Sequence, residues 1–538
     1  MPLVSEQAAI GATYGALAFF FLTTLLFGYK QLGKDLDPDK YMSARNSQKA
    51  FALAMSFFAS NAGAWILFAV PEAAILGGPI ALLGYAIASV VPLLLFSLIT
   101  PALRNNLPRG ITFFEMVHER YGWAVNVYVT LCACFYMYLY LAAEFTSVGS
   151  AVGLLSGTGT GTPGSALAAI IGTSVVTLLY TGIGGLPVSL LTDRVQGIGA
   201  LTFAVLVCVA AFSYTLFPKP PTEAEAFAEN TTSYNITLMQ HENWQMVTAF
   251  GISDNVGESF KMFFVLMIAV TSANMLHSGF QQRIWAACDN TSAKHGLYAA
   301  SILTVPFILL FGVLGMIAFA KFGFSGLISP AYIPFLSAFL LIQEGPQGWQ
   351  VVAIILAVMM VASSADTIQT GFTAVLSPAM EKIFKFLDVK KKFSRPVWRC
   401  LNFFITAAIN VPAIILATQN LSVLTLFVLA DLLCATCVCP VLMGLSPRIH
   451  PTSALADCIA GLLTALLVFG IGFSGEKGIY ITLFSPGGLY SDSSLLAFCL
   501  TPTVSIAATL LVNIPYRISG YHFAGYNHPS KDQTSSDV

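Results

Sequence analysis

The chain has 538 residues, 56% of them hydrophobic and only 9% charged, with a net charge of -1 and a mean hydropathy of +0.76. A soluble domain carries roughly 25% charged residues, so the composition excludes one and indicates an integral membrane protein. The near-zero charge, with basic residues scattered over loops, also excludes the basic stripe of a nucleic-acid-binding protein.

A helix that crosses ~30 Å of hydrocarbon needs about 20 apolar residues. Stretches of that kind are predicted at 8–29, 50–76, 78–103, 123–153, 164–183, 190–217, 259–280, 296–320, 349–380, 400–417, 423–444, 453–473 and 494–514, about thirteen in all. The first follows Met-Pro-Leu-Val-Ser-Glu-Gln, with neither the basic start nor the small-residue cleavage site of a signal peptide, and reads as a retained span. Two stretches are interrupted near their middles by small and polar residues, Ala59-Ser60-Asn61-Ala62-Gly63 and Thr271-Ser272-Ala273-Asn274. Unwound backbone at membrane depth survives only where it lines a cavity or a site, so the chain reads as a transporter. Small residues also serve close helix packing, but packing does not require the Asn in both interruptions.

If each interrupted helix opens a unit of five spans, the units cover 50–217 and 259–444. Five is odd, so the second unit enters the membrane from the opposite side and forms an inverted-topology pair. The expected fold is thus an all-α membrane protein with a 5+5 inverted-repeat core. Around it lie a first helix and cytoplasmic loop (1–49), an extracellular loop (218–258), two peripheral helices (445–514) and a cytoplasmic tail (515–538). All but four of the 25 Lys and Arg fall in alternate loops, the exceptions being Lys219, Lys261, Lys321 and Lys477. The positive-inside bias puts the N-terminus outside and the C-terminus in the cytoplasm, with the plasma membrane as the expected location. Sequons at Asn230 and Asn235 fall in the loop this topology places outside, and are the expected glycosylation sites. The ten cysteines lie almost entirely in apolar segments, where a thiol behaves as a small hydrophobe, and imply no disulfide framework.

Two features carry chemistry. The ninth stretch contains Met360-Val361-Ala362-Ser363-Ser364-Ala365-Asp366. A sodium ion is small and hard, and the paired hydroxyls of Ser363 and Ser364, joined by carbonyls freed where the second stretch unwinds, supply neutral oxygens for it. The plain alternative is that membrane serines return a hydrogen bond to the preceding turn. Glu144 stands alone in an aromatic-rich stretch, where a carboxylate must face a cavity, be paired or be protonated. Facing the cavity it favours a cationic group on a solute; otherwise it is a buried partner for a neighbouring hydroxyl. Asp431 and Glu72 are assigned to helix ends, without a role.

Phe57-Phe58-Ala59-Ser60-Asn61-Ala62-Gly63-Ala64-Trp65 with Pro71, Tyr180-Thr181-Gly182-Ile183-Gly184-Gly185-Leu186, Thr192-Asp193-Arg194-Val195-Gln196, and Gln282-Arg283 before Ala286-Ala287 together resemble the sodium/solute symporter family. The likeness covers roughly residues 40 to 450 and is nearest to the proline and urea branches. It implies a sodium site formed by carbonyls of Ala59, Ala62 and Met360 and hydroxyls of Ser363 and Ser364, although Met360 replaces the usual small residue. It also implies that Asp193, expected at the cytoplasmic mouth of the sixth span, assists sodium release, and that Asp366 supports the ion indirectly. For the solute it implicates Asn61, Ala64 and Trp65 from the first broken helix and Asn274, His277 and Gln281 from the second, with His277 where Gln is common. Val90-Val91-Pro92 replaces the carboxylate of sugar-carrying relatives and tilts against sugars.

No loop carries a nucleotide-binding Gly-rich motif with its lysine, so energy is expected from gradients. The function expected is sodium-coupled symport of a small polar organic solute, an amino acid such as proline, or urea or a polyamine, with Na+ as the coupling ion. The only partners implied are that solute and the bilayer, with no nucleic acid and no obligate protein. The nearest rival is a proton-coupled or uncoupled carrier, followed by a transporter-like sensor; a membrane enzyme is disfavoured because no metal cluster or nucleophile–base pair is present.

Overall fold

With no water in the hydrocarbon to satisfy backbone groups, apolar stretches of this length fold as helices that bond internally, and the computed structural model is all-α. It describes residues 4–32, 38–157, 164–216, 256–322, 347–386, 395–419, 423–471, 492–523 and 525. The glycosylation expectation at Asn230 and Asn235 falls outside them. In chain order the elements are α1 (Glu6–Leu32), α2 (Pro38–Ser43), α3 (Ala50–Asn61), a 3-10 turn (Ala64–Leu67), α4 (Ala69–Asn106), α5 (Phe113–Tyr121), α6 (Trp123–Leu155) and α7 (Ser165–Leu216). There follow α8 (Val256–Leu276), α9 (Ser278–Ala286), α10 (Asn290–Phe322), α11 (Gln347–Phe386), α12 (Arg395–Ala417), α13 (Val423–Ala435), α14 (Val438–Met443), α15 (Pro451–Ile471) and α16 (Asp492–Ile518). Among the described residues nine helices are long and apolar enough to cross a membrane.

Two of these long helices are kinked at a glycine. α4 passes through Gly78 (φ 62°, ψ -163°) and α7 through Gly185 (φ 59°, ψ -155°), a region of backbone space essentially closed to residues with a Cβ. The span boundaries expected from sequence, 76/78 and 183/190, lie close to these kinks. Gly185 also lies against another segment: a Cβ there would sit 2.5 Å from the Tyr41 carbonyl oxygen, while the Tyr41 hydroxyl donates to the carbonyls of Thr181 (3.2 Å) and Gly182 (2.8 Å). Gly185→Ala is therefore expected to destabilise by about 3 kcal/mol or more, backbone strain and overpacking acting together. Thermal denaturation of the detergent-solubilised protein checks this.

Both expected interruptions exist, one of them displaced. α3 ends at Asn61, and Ala62 (φ -88°, ψ 59°) and Gly63 (φ -69°, ψ 166°) are non-helical. The second break is not at Thr271–Asn274, which stay helical in α8, but at His277 (φ -70°, ψ 99°), between α8 and α9. α4 packs along α8 and α10, α7 along α1 and α11, and α3 lies against α7 and α10. The two broken segments thus meet α11 in the interior.

Candidate functional site

At the first break the helical ladder is interrupted, leaving polar groups without intrahelical partners. The Ala62 N–H still reaches the Phe58 carbonyl at 2.8 Å. The carbonyls of Ala59 and Ala62 accept no hydrogen bond among the described residues. Glu144, from the middle of α6, closes the other side: its Oε2 accepts from the Ala64 N–H at 3.0 Å, and its Oε1 lies against Gly63. The Ser364 hydroxyl of α11 neighbours this carboxylate. Glu144 therefore caps the unwound backbone from the side, fixing the first turn after the break. The second break is satisfied differently. Its freed Met275 carbonyl accepts from the Gln281 side-chain amide at 2.9 Å, and the same side chain accepts from the Phe113 N–H at 2.8 Å.

Below the first break lies a buried polar core that joins α3, α7, α9 and α11. Arg283 and Asp193, both fully buried, form an ion pair at 2.7 Å. The guanidinium also donates to Ser56 Oγ (2.6 Å), the Gly279 carbonyl (2.7 Å) and Thr367 Oγ1 (2.8 Å). Asp193 accepts further bonds from the Ser56 hydroxyl and from Ser363 Oγ at 3.1 Å. Thr367 Oγ1 in turn donates to Ser60 Oγ at 3.0 Å, linking α11 to the last turn of α3. Asp366 is held by three hydroxyls, Tyr180 (3.0 Å), Ser189 (3.0 Å) and Thr192 (3.1 Å), and Tyr180 also donates to the Ala362 carbonyl at 3.0 Å. Asp193 is thus an enclosed ion-pair partner.

Above the break the first and second broken segments face a cavity. It is narrow and open on one side, and is lined by Trp65, Tyr85, Tyr136, Tyr140, Val270, Ala273, Asn274, Phe427 and Asp431. Trp65 stacks on Tyr85 (centroids 5.3 Å apart) and meets Phe427 edge-on at 6.3 Å, while Tyr140 lies 4.9 Å from Phe427. Tyr136 donates to Asn274 Oδ1 at 3.2 Å.

Of the residues expected to touch solute, Trp65 and Asn274 line this cavity. Asn61 donates to the Ser89 carbonyl at 3.4 Å, and its own carbonyl accepts from the Trp65 indole at 3.2 Å. Ala64 meets Glu144, and Gln281 is bonded at both ends as described. His277 stacks on Phe280 at 4.4 Å and abuts Tyr136 and Tyr140; neither ring nitrogen has a hydrogen-bond partner among the described residues. Of the expected sodium ligands, Ser363 and Ser364 are buried rather than turned to lipid. Ser364 also donates to the Val361 carbonyl at 3.4 Å, the back-bond of an ordinary membrane serine. Met360 lies in uninterrupted helix. Asp431, read from sequence as a helix-end residue without a role, lies about one turn before the end of α13 and on the cavity wall; its being the lone charge of an apolar stretch was the available signal.

A bundle of long apolar helices, two of its segments broken around a buried polar core, is a multi-pass membrane transporter. The chain belongs to the sodium:solute symporter family, whose sequence pattern matches residues 41–461. It is similar to the spermidine transporter DUR31 of Candida albicans, 25% identical over 522 residues that span 95% of this chain and 90% of that protein. It is also similar to the osmoregulated proline transporter OpuE of Bacillus subtilis, 28% identical over 210 residues, 37% of this chain and 40% of that one. Among solved structures it resembles a Na+-coupled sialic acid symporter in a substrate-bound outward-open state, with a TM-score of 0.64 and 16% identity over 96% of this chain and 99% of that one. At that identity the likeness concerns the fold alone.

Proposed function

We propose that this protein is a sodium-coupled symporter that moves a small polar organic solute by alternating access across the plasma membrane, with its N-terminus outside and its C-terminus in the cytoplasm. The observation that carries the reading is the placement of two buried serine hydroxyls, Ser363 and Ser364, beside a break that leaves the Ala59 and Ala62 carbonyls without hydrogen-bond partners. With one lone pair of the Met360 carbonyl these give neutral oxygens, which bind a small cation firmly enough to take it up and weakly enough to release it. Thr367, bonded to Ser60, and Ser364, beside Glu144, couple the ion to both sides of the break. Sodium would thereby hold α3 against α11 and keep the solute cavity formed.

In this reading residues 50–217 and 259–444 are the two inverted five-helix units. The Arg283–Asp193 pair closes the route beneath Ser363 and parts when sodium leaves. One sodium ion descending a 100 mV potential supplies ~2.3 kcal/mol before any concentration gradient, enough to accumulate a neutral solute. The relatives' names, a spermidine transporter and a proline transporter, support a polyamine or an amino acid as the first solutes to try.

Proteoliposomes loaded with the purified protein are expected to take up labelled spermidine or proline faster in sodium than in potassium at zero membrane potential. Ser363→Ala with Ser364→Ala should raise the half-saturating sodium concentration about 10-fold or more, the loss of two ligands at roughly 1 kcal/mol each. Equal uptake in both media, or a proton-driven flux indifferent to the serine replacements, would remove sodium coupling.

A further inference from the structure

We infer that the transported solute is an organic ammonium ion and that Asp431 is its counter-ion. The inference rests on the transport reading above and names the solute class for the same cavity. Asp431 is only 5% exposed, sits in the C-terminal half of α13 on the cavity wall, and accepts no hydrogen bond and joins no salt bridge among the described residues. No Lys or Arg lines the cavity with it, and the buried guanidinium of Arg283 is committed to Asp193. A carboxylate set in a largely apolar, aromatic wall without a protein donor is unfavourable unless something that enters the cavity supplies one.

The surroundings specify what that something is. Five of the nine lining residues are aromatic, and their π faces present negative potential that attracts a cation and is indifferent to a neutral group. The Trp65–Tyr85 stack and the Tyr140–Phe427 contact close two sides of the space. Apart from Asp431 and the tyrosine hydroxyls, the polar group on the wall is Asn274, whose Oδ1 already accepts from Tyr136. A zwitterion would set a second carboxylate among the same faces and near Asp431. A neutral solute would leave Asp431 unpaired. An aliphatic ammonium satisfies both features, its N–H groups bonding the carboxylate and its charge facing the rings.

The test uses the full chain, purified, with putrescine, 1-aminobutane and 1-butanol as probes in thermal-shift titrations with sodium present, and putrescine, proline and urea in uptake. Putrescine and 1-aminobutane are expected to stabilise the wild-type protein and 1-butanol, of the same shape without the charge, not to. Asp431→Asn should weaken putrescine binding about 30-fold or more, as when one member of a buried charge pair is removed, while Asp431→Glu retains part of it. Stabilisation by sodium alone should persist in Asp431→Asn and shows that the variant is folded. If it is not folded, the amine-to-alcohol comparison on the wild-type protein decides the matter. Equal affinity for amine and alcohol, or wild-type putrescine affinity in folded Asp431→Asn, overturns the inference, and sodium-driven uptake of proline or urea would then leave the transport reading standing. Asp431-dependent amine binding with no sodium-driven flux of any probe would instead sink the coupling and retain the counter-ion.

Discussion

Arg283→Met is expected to lower stability by about 3–5 kcal/mol, the usual consequence of deleting one member of a buried ion pair, and to abolish uptake. Methionine restores part of the alkyl volume but none of the donors. Asp193 would remain fully buried with only the Ser56 and Ser363 hydroxyls to hold it, and the Gly279 carbonyl in α9, beside the second break, would lose its guanidinium partner. The same substitution releases Thr367, and through it the link between α11 and Ser60, so the two walls of the proposed sodium site would loosen together. Adding Asp193→Leu removes the orphaned charge. Since a buried ion pair is often no more stabilising than well-packed apolar groups, the double variant should regain most of the lost stability and still fail to transport. Tryptophan-fluorescence melting in detergent and labelled-solute uptake in proteoliposomes separate the two effects. A single variant as stable as the wild type would mean that the pair does not organise this interior.

Much of this architecture could be read from the chain, and what could not shares a physical cause. The kinks at Gly78 and Gly185 fall near span boundaries expected from apolar length, but the sequence did not single out these glycines, whose positive φ depends on how the flanking helices pack. The first break was legible because Ala-Ser-Asn-Ala-Gly contradicts a continuous helix locally. The second was placed three residues early: Asn274 stays helical, and the helix opens where the Gln281 amide is positioned to take up the Met275 carbonyl. A helix breaks where its freed carbonyl finds a substitute donor, and composition does not say where that donor lies. The partnership of Asp193 with Arg283 spans 90 residues of sequence and has no spacing signature, which is why the ion pair itself was not legible.

The intramembrane carboxylates show the same limit. Desolvation says that neither Glu144 nor Asp431 can face lipid, and it says nothing about what each faces instead. Glu144 was assigned to the solute and is found bonded to backbone beside the break; Asp431 was given no role and is found in the aromatic cavity. Their helices, α6 and α13, are apolar on every side, so no polar stripe marks the inward face. Only the packing of α6 against α11 and α13 settles which carboxylate meets backbone and which meets empty space. In the reading proposed above the two divide the labour: one fixes the shape of the site and the other gives it charge.

Gly63→Ala puts that division to the test. At φ -69° the backbone accepts alanine without strain, so any effect is one of space. A Cβ there would lie 1.9 Å from Glu144 Oε1 and 2.7 Å from Trp65 Cδ1, far inside van der Waals contact. The carboxylate must retreat, and the Ala64 N–H, with water excluded, loses its acceptor, a loss of about 1–3 kcal/mol. The same push displaces Trp65, a wall of the cavity, and should weaken solute binding about 10-fold or more, since 1.4 kcal/mol of misfit already amounts to a factor of ten. Glu144→Ala in the Gly63→Ala chain removes the collision. It should return part of the stability but not the transport, because the Ala64 N–H remains unbonded and the turn after the break unfixed. The double-mutant cycle then gives a coupling between Gly63 and Glu144 of opposite consequence for stability and for flux. Wild-type uptake by Gly63→Ala would show that the carboxylate can leave the break without harm, and that the turn carrying Trp65 is held by something other than Glu144.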